Sequence, residues 1–210
     1  MAFGFFMNME RLSINIAQKH IDLMTCDNID LENDPFLDEK KLLNNIENGF
    51  VAITQMNCYI ESFLNTIINS CIGYDDEVLL KCSIKEKIDI IFLHYGKSFK
   101  NIKAQHCWEI FSTTTKVRNG MIHFKKTYVG DGTGIPNFQL CGEKVADFFT
   151  KNNMEKLLEG HIELAKSIAS ELSLQIFEKI NVFECDGRDG LVNYVYDESI
   201  LDIDESRFQE

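Results

Sequence analysis

Apolar residues recur every three or four positions along most of the chain, a period that predicts amphipathic α-helices. The first pattern covers about residues 8–24 and the second covers about 39–72. Residues 25–38 between them are acidic and contain Pro35, so we expect an irregular connection there. The stripe predicted for the second helix consists of Leu42, Ile46, Phe50, Ile53, Ile60, Leu64, Ile67 and Cys71, with Asn57 as a polar gap.

Local signals mark the ends of three further helices. Ser83 and Glu86 have the spacing of a capping box, in which the two side chains satisfy free backbone N–H groups, and Gly96 is a natural stop for the helix that follows. The next helix is predicted over about 103–126 and is followed by a Gly-rich segment. The last long helix, with one continuous apolar face, is predicted over about 152–180.

Two apolar segments near the C-terminal end, 181–185 and 191–196, flank a Gly- and Asp-rich segment, which is typical of a β-hairpin. The predicted fold class is therefore mainly all-α, a helical bundle with a small β-hairpin near the C-terminus. An N-terminal helix with an acidic connection, the helical bundle, and a C-terminal hairpin with an acidic tail are expected over residues 1–38, 39–180 and 181–210.

The composition excludes several classes of site. The seven cysteines include no Cys-x-x-Cys pair, which argues against a structural zinc site and favours a reducing cytoplasm. Neither a metal nor a cofactor is expected, since a Gly-rich phosphate loop followed by Lys-Ser/Thr and a metal-ligand spacing of histidines are both missing. No run of about 18 apolar residues is present, so we expect no membrane partner.

Charge is distributed unevenly along the chain. The net charge is −12, which by itself opposes nucleic-acid binding. Residues 97–126, however, hold seven Lys/Arg and one acid, a balance of +6 that leaves −12 − 6 = −18 for the remainder. This basic segment is either a solvated helix face or an electropositive surface that coincides with a functional site.

The helix around residues 108–124 is predicted to have two non-polar faces. At ~100° per residue, one stripe faces the core of the bundle, and a second set of residues projects from the opposite side. The core stripe consists of Ile110, Thr114, Val117, Met121 and Phe124. The opposite side carries Trp108, Phe111 and Ile122, clustered with Arg118, Asn119 and His123.

Aromatic residues together with an arginine on a second helix face are typical of protein–protein contacts, so we expect Trp108, Phe111 and Ile122 to form a homodimer interface around a two-fold axis. Arg118 and His123 flank one broad face, but within one chain they are poorly placed to bind a single phosphate together. Two copies would bring two arginines and two histidines into one cleft.

The segment Val117-Arg118-Asn119-Gly120-Met121-Ile122-His123-Phe124 resembles the Arg-x4–6-His signature of HEPN domains. A long upstream helix carrying Tyr59-Ile60-Glu61-Ser62-Phe63-Leu64 and a short helix after Ser83-Ile84-Lys85-Glu86-Lys87 are also similar to that family. The resemblance covers roughly residues 39–180. It implies a HEPN-like bundle and ribonuclease chemistry without metal, in which the RNA 2′-OH attacks the adjacent phosphorus and leaves a 2′,3′-cyclic phosphate and a 5′-OH end.

The resemblance also implies roles for individual residues. His123 would act as general base or acid, because an imidazole titrates near pH ~6.5. Arg118 would bind the phosphate and its more negative transition state. Asn119 would orient His123 or donate to a phosphate oxygen. Lys116, Lys125 and Lys126 would bind flanking phosphates of the RNA.

Each of these residues also has a structural alternative. Arg118 could instead pair with a carboxylate across a dimer interface, and His123 could be a hydrogen-bonded interface histidine. Trp108 and Phe111 are expected to be packing residues and not platforms for stacked bases. An ordinary structural role is expected for His94, His106 and His161. Glu61 could contact the site from the preceding long helix, but we expect an i,i+4-type role on the helix surface instead.

Two functions are compatible with these residues. The first is a HEPN-type endoribonuclease, a toxin or phage-defence effector whose further partner would be an antitoxin or regulatory protein. The second is a non-catalytic HEPN-like module that dimerises and binds RNA, a nucleotide or a partner subunit. A purely structural bundle within a larger complex is a third interpretation. Fold does not separate these, because function depends on the site.

Overall fold

The computed structural model describes residues 9–26, 35–69, 79, 81–122, 139–140, 143–174, 184–185 and 192–193. Over these residues the protein is mainly α-helical, with helical-bundle character, which confirms the predicted class at that level. The helices, in chain order, are α1 (Met9–Asp22), α2 (Pro35–Ile67), α3 (Ile84–His94), α4 (Lys100–Lys103), α5 (His106–Ile122), α6 (Val145–Phe148) and α7 (Lys151–Leu172).

Four two-residue strands form two antiparallel pairs. Strand β1 (Gln139–Leu140) pairs with β2 (Glu143–Lys144), which leads directly into α6. Strand β3 (Glu184–Cys185) pairs with β4 (Val192–Asn193), with Glu184 opposite Asn193. The residues between β3 and β4 lie outside the described part of the chain, so the C-terminal hairpin stays a prediction.

Helix α2 begins at Pro35, four residues before the predicted start at 39. Pro35 lies in the segment expected to be an irregular connection, because proline interrupts helices. In the first turn, however, a backbone N–H has no partner within the helix, so its loss in proline costs nothing there. The predicted end of this helix, residues 70–72, lies outside the described residues.

The helix predicted over about 103–126 begins at His106, and Lys103 is the last residue of the separate helix α4. Helix α4 is closed by a hydrogen bond from the Gln105 N–H to the Ile102 carbonyl (2.9 Å), and α5 begins at His106. The start at 103 was therefore wrong. Periodicity did not reveal this break, because the apolar pattern continues across the short turn.

Helix α7 ends at Leu172, eight residues before the predicted end at 180. Ser173 adopts a positive φ of 59°, the left-handed conformation that terminates many helices. The N–H of Leu174 donates to the Ala169 carbonyl (2.8 Å) and the N–H of Ser173 to the Ser170 carbonyl (3.1 Å). This pair of bonds is a Schellman motif, and serine at its left-handed position gave no signal in the sequence.

The chain divides into two compact units, each built from separated segments. The first unit takes its described residues from the ranges Met1–Ser13, Cys58–Gln105 and Glu163–Glu210, and the second from Ile14–Asn57 and His106–Ile162. The core of the second unit includes these buried residues: Ala17, Ile21, Ile53, Met56, Val117, Phe148, Phe149, Met154 and Leu158. Helix α5, which carries the predicted site, belongs to the second unit.

The first unit has its own buried residues on α3 and on the C-terminal halves of α2 and α7. The rings of Phe92 and Phe99 meet edge to face with centroids 4.8 Å apart, which packs the short helix α4 against α3. Among the helices that the structure describes, none combines the length and the apolar character needed to cross a membrane.

Candidate functional site on helix α5

Helix α5 buries the face that the sequence predicted. Thr114 and Val117 are fully buried, and Ile110 and Met121 pack against the core of the second unit. The remaining member of the predicted stripe, Phe124, lies outside the described residues. The periodicity of the sequence therefore correctly predicted which side of α5 faces the core.

His161 on α7 forms the first polar anchor of α5. Its side chain is fully buried, with Nδ1 2.7 Å from the Leu157 carbonyl and Nε2 3.0 Å from the Thr114 hydroxyl. A carbonyl only accepts, so Nδ1 carries the proton and the Thr114 hydroxyl donates to Nε2. Burial lowers the pKa of His161 to about 4, opposed by the bond to Leu157, so the ring is neutral at pH 7.

Asn57 on α2 forms the second anchor. The Thr115 hydroxyl donates to Asn57 Oδ1 (2.8 Å), while Asn57 Nδ2 donates to the Ile53 carbonyl (2.9 Å). This explains the polar gap that Asn57 leaves in the apolar stripe of α2, since its amide is buried and bonded at both ends. Two consecutive residues of α5 are thus bonded to two different helices, which fixes the rotation of α5 about its own axis.

Arg118 lies one turn after these anchors and is half-buried, whereas Asn119 is exposed. Arg118 Nε and Nη2 both donate to Asn119 Oδ1, at 3.2 and 3.0 Å. Within the part of the chain that the structure describes, the guanidinium makes no ion pair with a carboxylate. The Nε–Nη2 edge therefore holds one neutral oxygen, in the way it would hold one oxygen of a phosphate.

Lys116 is exposed on the same helix. His123, Lys125 and Lys126 lie outside the described residues, so the predicted grouping of Arg118 with His123 stays a prediction. Asn119 was expected to orient His123 or to bind a phosphate oxygen. Its oxygen binds Arg118 instead, which leaves the amide Nδ2 as the group available for those roles.

The predicted interface residues differ in exposure. Ile122 is 57% exposed, and Trp108 is half-buried with its ring 5.4 Å from that of Phe111. Phe111 is only 5% exposed, and its ring lies 5.8 Å from that of His161. The placement of Phe111 on the outward face was therefore wrong. The buried face of α5 is wider than the predicted stripe, as is usual for a helix packed on a core.

The other histidines considered from the sequence lie at the surface. His94 and His106 are exposed, and His106 Nδ1 lies 3.3 Å from Glu109 Oε2 on the first turn of α5. His161, by contrast, is fully buried, and its bonds to Leu157 and Thr114 give it the structural role that was expected.

The first unit contains an ion pair that sequence reasoning missed. Lys87 Nζ on α3 donates to Glu61 Oε1 on α2 (2.8 Å); the Lys87 side chain is 0% exposed and that of Glu61 is 42% exposed. Glu61 was expected to have an i,i+4-type role on the surface of its own helix, but its partner is Lys87 on a different helix. The lysine follows Ile84 and precedes Ile88 in the helical pattern, and that pattern gave no indication that its amine is buried.

A second polar contact of the first unit, which is partly buried, joins α1 to α2. The Thr66 hydroxyl donates to Glu10, and burial raises the pKa of that carboxyl. Within the described segments, no group of three or more His, Cys, Asp or Glu side chains is placed to hold a metal ion.

The chain matches no protein-family model, no curated protein and no solved structure.

Proposed function

We propose that this chain is a metal-independent endoribonuclease of the HEPN type, acting as a homodimer on RNA and leaving 2′,3′-cyclic phosphate ends. The supporting observation is the placement of Arg118 at the accessible end of a helix whose rotation is fixed by Thr114 and Thr115. Its guanidinium meets a neutral amide and, among the described residues, no carboxylate. A cation kept free of acid partners is suited to an anionic ligand.

In this proposal Arg118 binds the scissile phosphate. On binding, the phosphate oxygen replaces Asn119 Oδ1 on the Nε–Nη2 edge, and the guanidinium then neutralises the charge that develops on the phosphorane. His123 removes the 2′-OH proton or protonates the leaving 5′ oxygen. Asn119, released from Arg118, donates from Nδ2 to His123 or to phosphate, and Lys116, Lys125 and Lys126 hold flanking phosphates.

The homodimer is proposed to form across the exposed side of α5. Ile122 is a large apolar side chain left 57% exposed on the last turn, and Trp108 is half-buried on the first turn. They are 14 residues apart, nearly four helical turns, and so lie on one side of α5. Apolar residues at both ends of one face, with an arginine between them, suit contact with a second copy.

The finer features of the fold belong to the same proposal. Residues 39–180 would form the HEPN-like bundle, and the antiparallel pair of β3 and β4 would be the base of the C-terminal hairpin. The register of Glu184 opposite Asn193 and Cys185 opposite Val192 supports the hairpin.

Cleavage of total RNA in the presence of EDTA tests the nuclease. Wild type is expected to leave fragments with 2′,3′-cyclic phosphate ends, which mass spectrometry identifies. Loss of the transition-state contact in Arg118→Ala should slow cleavage by about 10²–10³-fold. Arg118→Lys, which keeps the positive charge but loses the planar guanidinium that donates two hydrogen bonds at once, should have an intermediate cleavage rate. Loss of the proton carrier in His123→Gln should cost about 10²–10⁴-fold.

His106→Gln is the matched control for His123→Gln, because His106 is an exposed histidine on the first turn of α5. It should cleave RNA as wild type does. Intact RNA with the wild-type protein, or equal cleavage by wild type and His123→Gln, would contradict the proposal.

The bond between Arg118 and Asn119 favours a second candidate, a non-catalytic module that binds RNA, a nucleotide or a partner subunit. An arginine edge already occupied by an amide oxygen at 3.0 and 3.2 Å is satisfied without substrate. The net charge of −12 points the same way. Under this candidate, Arg118→Ala weakens binding of RNA or of the regulatory partner, and no fragments with cyclic phosphate ends form at any protein concentration.

A further inference from the structure

The longest acid-free stretch among the described residues surrounds the end of α3. Residues 90–108 contain three lysines and neither Asp nor Glu, a balance of +3 that leaves −12 − 3 = −15 for the rest of the chain. Lys97, Lys100 and Lys103 are all exposed. In a protein with 33 acidic residues, such a segment is the exception, and its three lysines lie in the first unit.

The backbone of this segment is held in one conformation. Gly96 has φ of +61°, and the N–H of Lys97 donates to the Phe92 carbonyl (2.9 Å), which closes α3 with a Schellman motif. Ser98 Oγ then accepts from the N–H of Lys100 (3.4 Å) at the start of α4. We call residues 94–103 the basic turn. Its lysines are therefore presented by an ordered backbone, which lowers the entropic cost of binding a ligand.

Aromatic rings accompany the lysines of the basic turn. The rings of His94, which is exposed, and Tyr95, which is half-buried, meet edge to face with centroids 5.4 Å apart. Lys103 Nζ lies 5.5 Å from the centroid of the buried Phe99 ring. Among the described residues, Lys97, Lys100 and Lys103 have no carboxylate partner. Their charges are thus not neutralised by the described part of the chain.

We propose that the basic turn is a binding surface for single-stranded RNA, in which the three lysines hold phosphates and His94 with Tyr95 offers a ring surface on which a base stacks. Three lysines would attract any polyanion, including an acidic partner protein. The rings beside them favour single-stranded RNA, because an unpaired base stacks on an aromatic ring. The inference shares the RNA ligand of the proposed function and adds a contact separate from Arg118.

The test measures binding of a fluorescent single-stranded 2′-O-methyl RNA, which cannot be cleaved through its 2′ oxygen, at several salt concentrations. Each phosphate contact contributes about −0.7 to the slope of log K against log salt. The triple variant Lys97→Gln/Lys100→Gln/Lys103→Gln should lower that slope by about 2 in magnitude. Lys19→Gln/Lys40→Gln/Lys156→Gln, which neutralises three exposed lysines on other helices, should leave the slope close to wild type.

The ring contribution is tested with His94→Ala, for which we expect about fivefold weaker binding or more. His106→Ala is its matched control. Thermal unfolding followed by circular dichroism verifies that each variant is folded.

Three outcomes would overturn the inference: an unchanged salt slope in the triple variant, displacement of the RNA by polyglutamate as effectively as by RNA, or equal binding of double-stranded RNA together with no effect of His94→Ala. The proposed nuclease is judged separately. Cleavage that depends on Arg118 but not on the three lysines would keep the nuclease and reject the basic turn, whereas salt-sensitive binding through the basic turn without cleavage would do the reverse.

Discussion

His161 is a histidine whose burial strongly favours its neutral form. Both ring nitrogens are bonded, to Leu157 and Thr114, and the ring is shielded from water. A second ring proton would face the Thr114 hydroxyl, which could then turn its own proton toward the Phe111 carbonyl at 3.0 Å. The hydrogen bonds would thus survive protonation, but the charge would remain buried, and that cost lowers the pKa.

The protein should lose stability as the pH falls, because of His161. Its pKa is about 4 in the folded state against 6.5 when unfolded, so the unfolded state takes up the proton first. The stability is fully present above pH 6.5 and is lost as pH falls toward 4. Between pH 7.5 and pH 5, urea unfolding should show about 2 kcal/mol of loss from this group.

His161→Gln removes the titrating group and should flatten this pH dependence, even if its stability at pH 7.5 is lower. His106→Gln, the exposed control, should keep the wild-type slope. An identical pH profile for wild type and His161→Gln would show that other groups cause the acid sensitivity.

Single residues of α5 were predicted with unequal success. Val117 and Thr114 were assigned to the core because the helical period alone determines which side they occupy. The bond between Arg118 and Asn119 was not foreseen, since neighbouring positions on a helix do not face each other and only the length of the arginine side chain lets them meet. The buried ring of Phe111 packs against that of His161, which is 50 residues further along the chain.

Helix ends were predictable where the residue at the end prefers the backbone conformation that it adopts there. Ser83 and Glu86 form the expected capping box, with the Ser83 N–H donating to Glu86 (2.7 Å), and Gly96 ends α3 with φ of +61°. Ser173 ends α7 with nearly the same backbone but with a residue that disfavours it. The end of α7 is therefore imposed by the rest of the fold, against local preference.

Ser173→Gly should stabilise the protein by about 1 kcal/mol, because glycine adopts the left-handed conformation without the steric cost of a Cβ. Ser173 is exposed, so no buried contact is lost. The urea midpoint should rise with an unchanged m-value. Gly96→Ser makes the opposite exchange at the end of α3, where nothing lies within 4 Å of an added Cβ, and should lower stability by a similar amount. A lower midpoint for Ser173→Gly would contradict this account.

Helices α5 and α7 approach closely at Gly160. A Cβ at this position would lie 2.5 Å from Ile110 Cδ1 and 2.9 Å from Cγ2. Alanine gains up to about 1 kcal/mol of helix propensity over glycine, but overpacking costs about 1–3 kcal/mol, and a β-branched neighbour cannot easily rotate away. Gly160→Ala should therefore destabilise the protein by about 1 kcal/mol in urea unfolding.

Ile110→Ala removes both of the atoms that an added Cβ would meet most closely. The double variant Gly160→Ala/Ile110→Ala should be more stable than the sum of the two single effects predicts. If the stability effects of the two substitutions simply add, α5 and α7 can move apart around the added Cβ without a loss of stability.

At the scale of the whole molecule, two large apolar side chains that remain exposed on the second unit allow the proposed self-association to be tested. Ile122 is 57% exposed at the end of α5, and Leu43 is 50% exposed on α2 in the same unit. They are thus similar in size and exposure but lie on different helices. Only the first belongs to the face that we propose pairs with a second copy.

Wild type should sediment as a dimer at micromolar concentrations, and Ile122→Asp should shift it to monomer, because a carboxylate buried in an apolar contact is strongly unfavourable. Leu43→Asp should remain a dimer. If both variants stay dimeric, or if Leu43→Asp alone dissociates, the interface lies elsewhere than on α5. RNA cleavage by a monomeric Ile122→Asp protein would separate the catalytic proposal from dimerisation.

The sequence by itself determined the helical class, the inward face of α5 and the helix ends at Ser83 and Gly96, since these follow from periodicity and from the conformational preferences of single residues. The tertiary structure decided the neutral state of His161, the burial of Phe111 and Lys87, and the left-handed turn at Ser173. Each of these depends on which distant segments meet, and a local pattern of apolar and polar residues does not contain that information.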